Sequence, residues 1–575
     1  MLWRTLPQML LAGYVLVSLA LAAPPDPLAI SPSPQWSTEK AAHLLRRAGF
    51  GGTPEQIRHL AQLGRDAAVA SLVDYESIPS DLPDFPIDAM PERPPRGALA
   101  RMPAEARSEL LKAFSRLTNG YHTAMQDWWL SRMVATPRPL EEKMTLFWHG
   151  HFTSGFREVR RPRAMYLQND FLRRHAMSDF KTLVKGISRD WAMSIYLDGA
   201  RNVKAHPNEN YARELMELFT MGIGNYTEED VKEAARAFTG WRADENGFTV
   251  RRRDHDNGVK TFLGRTGNFD GDDIIDIIFE QPATAEHLAR RLWTFFVEPD
   301  PPENIITALA ARIRENNYSI RETMRLILSC DAFYAPRVRF AQIKSPAELV
   351  VGSARLLETP LVDARSANIA MRQMGQELFQ PPNVKGWDGG RAWINTSTLF
   401  IRYNTAAGLI FGTRAPPTDR EMGRIVRQLR AIGIGRGEEA VAVAALPGNA
   451  GTDDAMAGPD EEMDALDEAT RELGRAVQQL PPHVQEWLRN IEFPPLSTTS
   501  QPPYDPRPTI EKYRLETAEA VVNHYTRRLL GMDLPADRRR ILVQALTPEG
   551  GRFNPRSDSG AEAIRKLIHL IMSMP

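Results

Sequence analysis

T-E-E-D-V-K-E-A-A-R-A-F-T-G-W, running from Thr227 to Trp241, sets a threonine before three acidic residues and then places Val231, Ala234, Ala235 and Phe238 at helical spacing. A threonine in that place can cap the free N–H groups of a helix start. The four apolar residues then fall on one face of a 3.6-residue period. The same grammar recurs outward along the chain. Thr53-Pro54-Glu55-Gln56 is a capping box with proline at the first helical position, and the helix it opens ends at Gly64. Ser319-Ile320-Arg321-Glu322 opens another helix through Leu328. Helices are predicted over 283–297, 303–316, 346–357, 364–379, 396–412, 461–479, 508–530 and 559–573. Strand-type alternation is nearly absent. The expected class is mostly α: a large multi-helix globular body with one small β-hairpin insertion and long proline-rich loops. The hairpin is expected between Phe248 and Leu263, turning at Asn257-Gly258, a dipeptide suited to a type I′ turn.

Composition bounds the rest. The chain has 575 residues, 42% of them hydrophobic, enough for a large core and by length for up to about four domains. Lysine and arginine total 71 and aspartate and glutamate 72, a formal charge of −1, so no nucleic-acid partner is indicated. Cys330 is the single cysteine, which excludes an intrachain disulfide and reads as a buried small hydrophobe. At the start, Arg4 precedes an apolar run from Met9 to Ala22 that closes on Ala20-Leu21-Ala22. This is the layout of a signal peptide over residues 1–22, and the run falls short of the ~20 residues that span a bilayer. Export to the periplasm or medium is expected, with no transmembrane segment after cleavage. Pro79–Pro103, Gly433–Pro459 and Phe493–Pro508 read as loops or linkers. The expected organisation is a main helical domain over 36–432, a linker or insert over 433–460, and a C-terminal helical region over 461–575 that packs on the main body.

The chemistry-bearing residues gather between His206 and Gly264 and in W-H-G-H-F at Trp148 to Phe152. In N-E-N-Y-A-R-E-L-M-E-L-F, Asn208 is a candidate N-cap, while Asn210, Arg213, Glu214 and Glu217 share one helical face. Two carboxylates on one face can hold a cation or share a proton. The competing reading is a solvated face with an Arg213–Glu217 ion pair. His149 and His151 would point about 200° apart in a continuous helix, so they converge only if the chain turns at Gly150. His255 and Asp256, with Lys260 beyond the Asn257-Gly258 turn, offer an oriented base or merely a polar turn. N-F-D-G-D-D at Asn268 to Asp273 is no EF-hand, since Ile277 stands where the bidentate glutamate belongs; Asp270 or Asp272 reads as a helix cap. Trp387 and Trp393, in the loop Gln380 to Asn395, either wall a pocket or pin the loop to the core. No G-x-S-x-G, Walker, H-E-x-x-H or C-x-x-C-H motif is present.

Taken together, H-L-L-R-R-A-G-F-G (His43 to Gly51), W-H-G-H-F, N-E-N-Y-A-R-E-L-M-E-L-F, E-E-D-V-K-E-A-A-R-A-F-T-G-W, H-D-N-G-V-K-T-F-L-G, P-P-N-V-K-G-W and L-I-H-L-I-M-S-M-P resemble the bacterial family called domain of unknown function 1800. The resemblance covers nearly all of the mature chain, departs from the commoner W-H-N-H-F at Gly150, and implies export. It also implies a neighbour, a sulfatase-like protein of the family called domain of unknown function 1501. It supplies no activity. The stretch from R-L-W-T-F-F-V to L-I-L-S-C-D-A-F-Y is more weakly similar to planctomycete proteins that carry cytochrome-like modules.

The function expected first is catalytic, and a non-catalytic binding or assembly role is its alternative. In one, His149, His255, Asp256, Lys260 and Arg213 act catalytically while His151, Glu214, Glu217 and Asn210 hold a divalent metal ion, giving metal-assisted hydrolysis or acid–base chemistry on a polar envelope-associated substrate. In the other, the chain is a non-catalytic binding or assembly protein pairing with the sulfatase-like neighbour, and the same residues form a hydrogen-bonded network that fixes helix register. N-terminal sequencing of protein recovered from the envelope fraction is expected to start at Ala23 or Pro24; intact Met1 in soluble cytoplasm would remove the export assignment.

Overall fold

The computed structural model describes residues 26–32, 35–86, 96–412, 501–547 and 553–572. The expected signal peptide over 1–22, the expected linker over 433–460, the expected helix over 461–479 and part of the proline-rich stretches lie outside the described residues.

Local signals become helices where they are expected. Thr53 and Thr227 form reciprocal capping boxes with Gln56 and Asp230, and Ser345 does so with Glu348. Asp270 caps the helix Gly271–Glu280. Helices occupy Pro282–Phe296, Glu303–Glu315, Pro346–Leu357, Thr396–Phe411 and Asp558–Met572. Two expected spans are shorter than predicted. The helix from Ala364 stops at Gln373, just before Gly375 at φ 96°, and the 508–530 span breaks into Arg507–Tyr513 and Ala518–Leu530 at the left-handed Arg514. No described helix is long and apolar enough to cross a membrane.

The β structure is small and pairs differently from the expected hairpin. Strand β1 (Trp241–Asp244) pairs antiparallel with β2 (Gly247–Val250), and β3 (Lys260–Phe262) pairs with β4 (Arg265–Gly267). Leu263 and Gly264 both have positive φ, 46° and 78°, so the backbone that a type I′ turn needs is found there. Asn257-Gly258 is closed differently. Asp256 Oδ1 accepts the Gly258 N–H at 2.7 Å, and the Lys260 ammonium donates to the Asp256 and Gly258 carbonyls at 2.7 and 3.1 Å. A buried lysine needs acceptors, and folding the loop back onto it supplies them.

Three apolar cores hold the helices together. One is built from segments between Leu28 and Val338, and a second runs from Phe50 through the long helix Ala104–Ala135 to Leu409. The third joins the C-terminal helices to Leu356, Leu357 and Ile410. The helix Pro139–His151 lies between the first two: Leu140, Met144, Phe147 and Trp148 enter one and Leu146 the other. Every residue of it except Gly150 is buried. Such burial favours polar groups that find partners inside, and its ionised side chains do so. Glu142 Oε1 accepts from Arg132 Nε and Arg173 Nε, each at 2.7 Å, and Oε2 accepts from Trp129 Nε1 at 2.9 Å. Burial alone would raise this carboxyl, but Arg173 and Arg132 outweigh it and hold it ionised. Lys143 reaches Glu348 of another helix. Cys330 is buried, donates to the Ile327 carbonyl at 3.3 Å and is pushed up to about 11, as a small core residue would be.

Removing one member of a buried ion pair typically costs about 3 to 5 kcal/mol, because the other charge is stranded. Glu142→Ala is expected to lose that amount in urea unfolding. A loss below about 1 kcal/mol, the size of a surface pair, would contradict this account of the inner helix.

Candidate functional site

The segment after Pro207 starts as the α-helix Asn210–Glu214 and widens into a π-helix over Leu215–Thr220. The Asn208 side chain accepts the Asn210 backbone N–H at 3.0 Å, in the manner of a cap. Widening the turn leaves carbonyls near its end without partners in the helix, and π turns often mark places where side chains must take over. Two imidazoles do so here. His151 Nε2 lies 2.9 Å from the Phe219 carbonyl and His287 Nε2 lies 3.0 Å from that of Leu218. A carbonyl only accepts, so each ring carries its proton on Nε2. Burial pushes His287 down to about 4 and His151 well below its ordinary value, with Arg291 adding to both, so both rings are neutral at pH 7.

His149 sits elsewhere. The helix continues through His151 without turning at Gly150, so the two histidines face different cores. His149 lies among Trp129, Phe379 and Trp387 at ring-centroid distances of 5.4, 5.6 and 5.7 Å. Neither ring nitrogen has a hydrogen-bond partner, and burial pushes the ring down to about 3. Trp387 reaches it because Gly386, at φ 89°, lies against the Gly150 carbonyl where a Cβ would collide. Trp393 is buried and Trp387 is partly buried against the second core, so both tryptophans pin the 380–395 loop to the body.

The carboxylates and cations form further local sets. Arg213 holds Glu228 through two bonds of 2.8 Å and Glu209 through one of 3.0 Å, so the expected partner Glu217 is not the one it takes. Glu217 instead accepts from the Tyr226 hydroxyl at 3.0 Å. Half-buried Glu214 is raised, first by burial and then by Glu217. Asn210 is exposed. At the hairpin end, His255 Nδ1 lies 2.8 Å from the Thr239 carbonyl, and Asp256 pairs with Arg236 at 2.8 Å. Glu228 and Arg236 stand near opposite ends of the helix Glu228–Ala237, which separates the Arg213 and Asp256 sets by roughly 12 Å of helix rise. The three polar groups of the sequence are thus stitched to one another through shared helices and do not converge on one point.

What the 206–264 stretch does enclose is an aromatic crevice of about 30 Å³ among Tyr211, Phe238, Trp241, Phe248, Asn202 and Arg242, room for one or two waters. Beside Tyr211, partly buried Asp190 caps the helix Trp191–Tyr196 and accepts from Met193 N and Gln168 Nε2, both at 2.7 Å. Burial pushes it up to about 7. Sequence reasoning missed Asp190, Gln168 and His287. An aspartate before a helix reads as a surface cap, and nothing local tells a buried cap from an exposed one.

As a metal set, His151, Asn210, Glu214 and Glu217 do not fit. The His151 Nε2 proton is directed at a carbonyl, Asn210 faces solvent, and only the two glutamates lie side by side. Among the described residues no group of three or more His, Cys, Asp or Glu is placed to hold a metal ion.

The profile of the family described as protein of unknown function (DUF1800) matches residues 43–575, and the chain belongs to that family. No curated protein and no solved structure matches the chain.

His149 gives a direct test of its setting. With a folded pKa of about 3 against ~6.5 unfolded, the unfolded chain takes the proton first, so stability is lost as pH falls from 6.5 towards 3. His149→Phe keeps the ring and removes two unpartnered polar atoms. Urea unfolding is expected to show a variant no less stable than the parent at pH 7 and a shallower loss of stability on acidification. Marked destabilisation at both pH values would show that the ring nitrogens have partners the cage does not display.

Proposed function

We propose that this chain is an exported binding or assembly protein of the bacterial envelope, pairing with the sulfatase-like neighbour that its family resemblance implies. In this reading the polar residues of the 206–264 stretch form a structural brace. The observation that carries it is where the donors go. Nε2 of His151 and His287, Nδ1 of His255 and the Lys260 ammonium all face main-chain carbonyls. Arg213 and Asp256 are engaged by Glu209 and Glu228 and by Arg236. A proton shuttle has to exchange its proton with a substrate, whereas these groups direct theirs at main-chain acceptors, those of Phe219 and Thr239 in buried positions.

The second reading, metal-assisted hydrolysis or acid–base catalysis on a polar envelope-associated substrate, is favoured by one feature: two carboxyls raised by burial, Glu214 beside Glu217 and Asp190 beside Tyr211. A divalent ion in that reading would have Glu214 and Glu217 as its side-by-side ligands.

Elemental analysis and melting of Glu214→Gln, read together, separate the two. A brace predicts parent protein without stoichiometric metal and a variant that melts no lower than the parent, since the substitution relieves repulsion with Glu217. Stoichiometric metal in the parent that is lost in the variant would establish the hydrolase reading and overturn the brace.

A further inference from the structure

The H-L-L-R-R segment leaves two arginines that the brace does not use. His43 points its Nε2 at the Phe333 carbonyl, 3.0 Å away, while Arg46 and Arg47 project from the same helix end towards Lys344, Arg402 and the Lys143–Glu348 pair. Among the described residues, Glu348 is the carboxylate that faces Lys143, Arg47, Lys344 and Arg402, with Arg46 beside them. It is already occupied: Oε1 by the Lys143 ammonium and Oε2 by the Ser345 backbone N–H at 2.7 Å. Arg47 donates to the Val297 carbonyl and Arg402 to the Lys344 carbonyl at 2.8 Å, and neither acceptor carries charge. Among the described residues, Arg46 and the Lys344 ammonium have no hydrogen-bond or ion-pair partner; the Arg46 guanidinium rests on the exposed Phe340 ring, 5.6 Å from its centroid.

Three nitrogens of this group, Arg46 Nη2, Arg47 Nε and Arg402 Nε, are buried and lack an acceptor. Buried charged donors without acceptors are rare in folded proteins, and a bound anion supplies the acceptors that such donors need. Like charges gathered in a poorly solvated recess also repel more strongly than on an open surface. Burial and the neighbouring cations Arg46 and Arg402 hold Lys344 below its ordinary value, and burial with Arg339 holds Arg46 down at about 10. Lys344 is exposed, so this end of the group meets solvent. Arg46, Arg47 and Arg402 are only partly covered, so each keeps a part that water reaches.

We propose that Arg46, Arg47, Lys344 and Arg402 form a receptor for a tetrahedral dianion, the phosphate or sulfate group of a monoester, seated over the Lys143–Glu348 pair. Guanidinium forks match the paired oxygens of such a group, and the lysine adds a point charge. A dianion offsets part of the local excess of positive charge and provides acceptors for the orphaned nitrogens. This site is separate from the 206–264 stretch and does not depend on the brace.

The test uses the full chain, titrated calorimetrically with inorganic phosphate and with sulfate at low ionic strength. Saturable one-site binding is expected, weakened about tenfold or more in Arg46→Gln and in Lys344→Gln and unchanged in Arg312→Gln, a surface arginine elsewhere. Melting of each variant without anion checks folding; Lys344 is exposed, so its variant decides if Arg46→Gln does not fold. Flotation with phosphatidylcholine vesicles containing phosphatidic acid distinguishes the source. Flotation lost in the same variants assigns a lipid headgroup, and titration without flotation assigns a soluble ester. Absence of saturable binding to phosphate, sulfate and vesicles alike, or binding undiminished in Lys344→Gln and Arg402→Gln, would overturn the proposal.

Discussion

The carboxylate of Glu142 is fully enclosed, and the inner helix Pro139–His151 can occupy the middle of the protein only because Arg132, Arg173 and Trp129 meet that carboxylate there. A helix carrying Glu141, Glu142, Lys143, Thr145, His149 and His151 would ordinarily turn its polar face to water. Here the surrounding helices bring the partners in. The Ala104–Ala135 helix contributes Arg132 and Trp129, the Pro162–Arg174 helix contributes Arg173, and the Pro346–Leu357 helix contributes Glu348 to Lys143. An ion pair of this kind adds little net stability over an apolar replacement, but it penalises any packing in which one charge is stranded. The position of His151, and through it the π turn, follows from where this helix is held.

The π turn then explains why so polar a stretch lies within the body. Its last carbonyls receive imidazole N–H groups from two helices far apart in sequence, those of His151 and His287, and Gly222 lies close against the His287 ring. The helix Glu228–Ala237 extends the same arrangement, with Glu228 holding Arg213 and Arg236 holding Asp256. These interactions tie together the 210–220 segment, the hairpins and the inner helix. The cationic recess at Arg46 differs in kind, because its donors outnumber its acceptors.

Much of the helical fold was legible because its signals are local. A capping box needs two residues three apart, and Thr53, Thr227 and Ser345 each carry theirs within one turn. Apart from the two helix spans cut at Gly375 and Arg514, the readings that departed from the structure turned on contacts beyond the window. Asn257-Gly258 has the residues of a type I′ turn, yet buried Lys260 draws that loop closed, and the paired strands meet at Leu263-Gly264 instead. Arg213 has Glu217 four residues on but takes Glu228 from the next helix. His149 and His151 are near in sequence and opposed in space, since the helix does not break at Gly150. Asp190, Gln168 and His287 were illegible as internal residues, because nothing beside them in the chain records what packs over them.

The central claim is that imidazole N–H groups cap the π turn, and histidine nitrogen–proton correlation spectra of selectively labelled protein test it most directly. The account predicts that His151 and His287 appear as neutral Nε2–H tautomers at pH 7, stay neutral as the pH is lowered through the ordinary histidine value of ~6.5, and do not shift on addition of a divalent cation. Titration of both rings near 6.5, or displacement of the Nε2 signals by the cation, would show that these nitrogens are available for chemistry and would contradict the account.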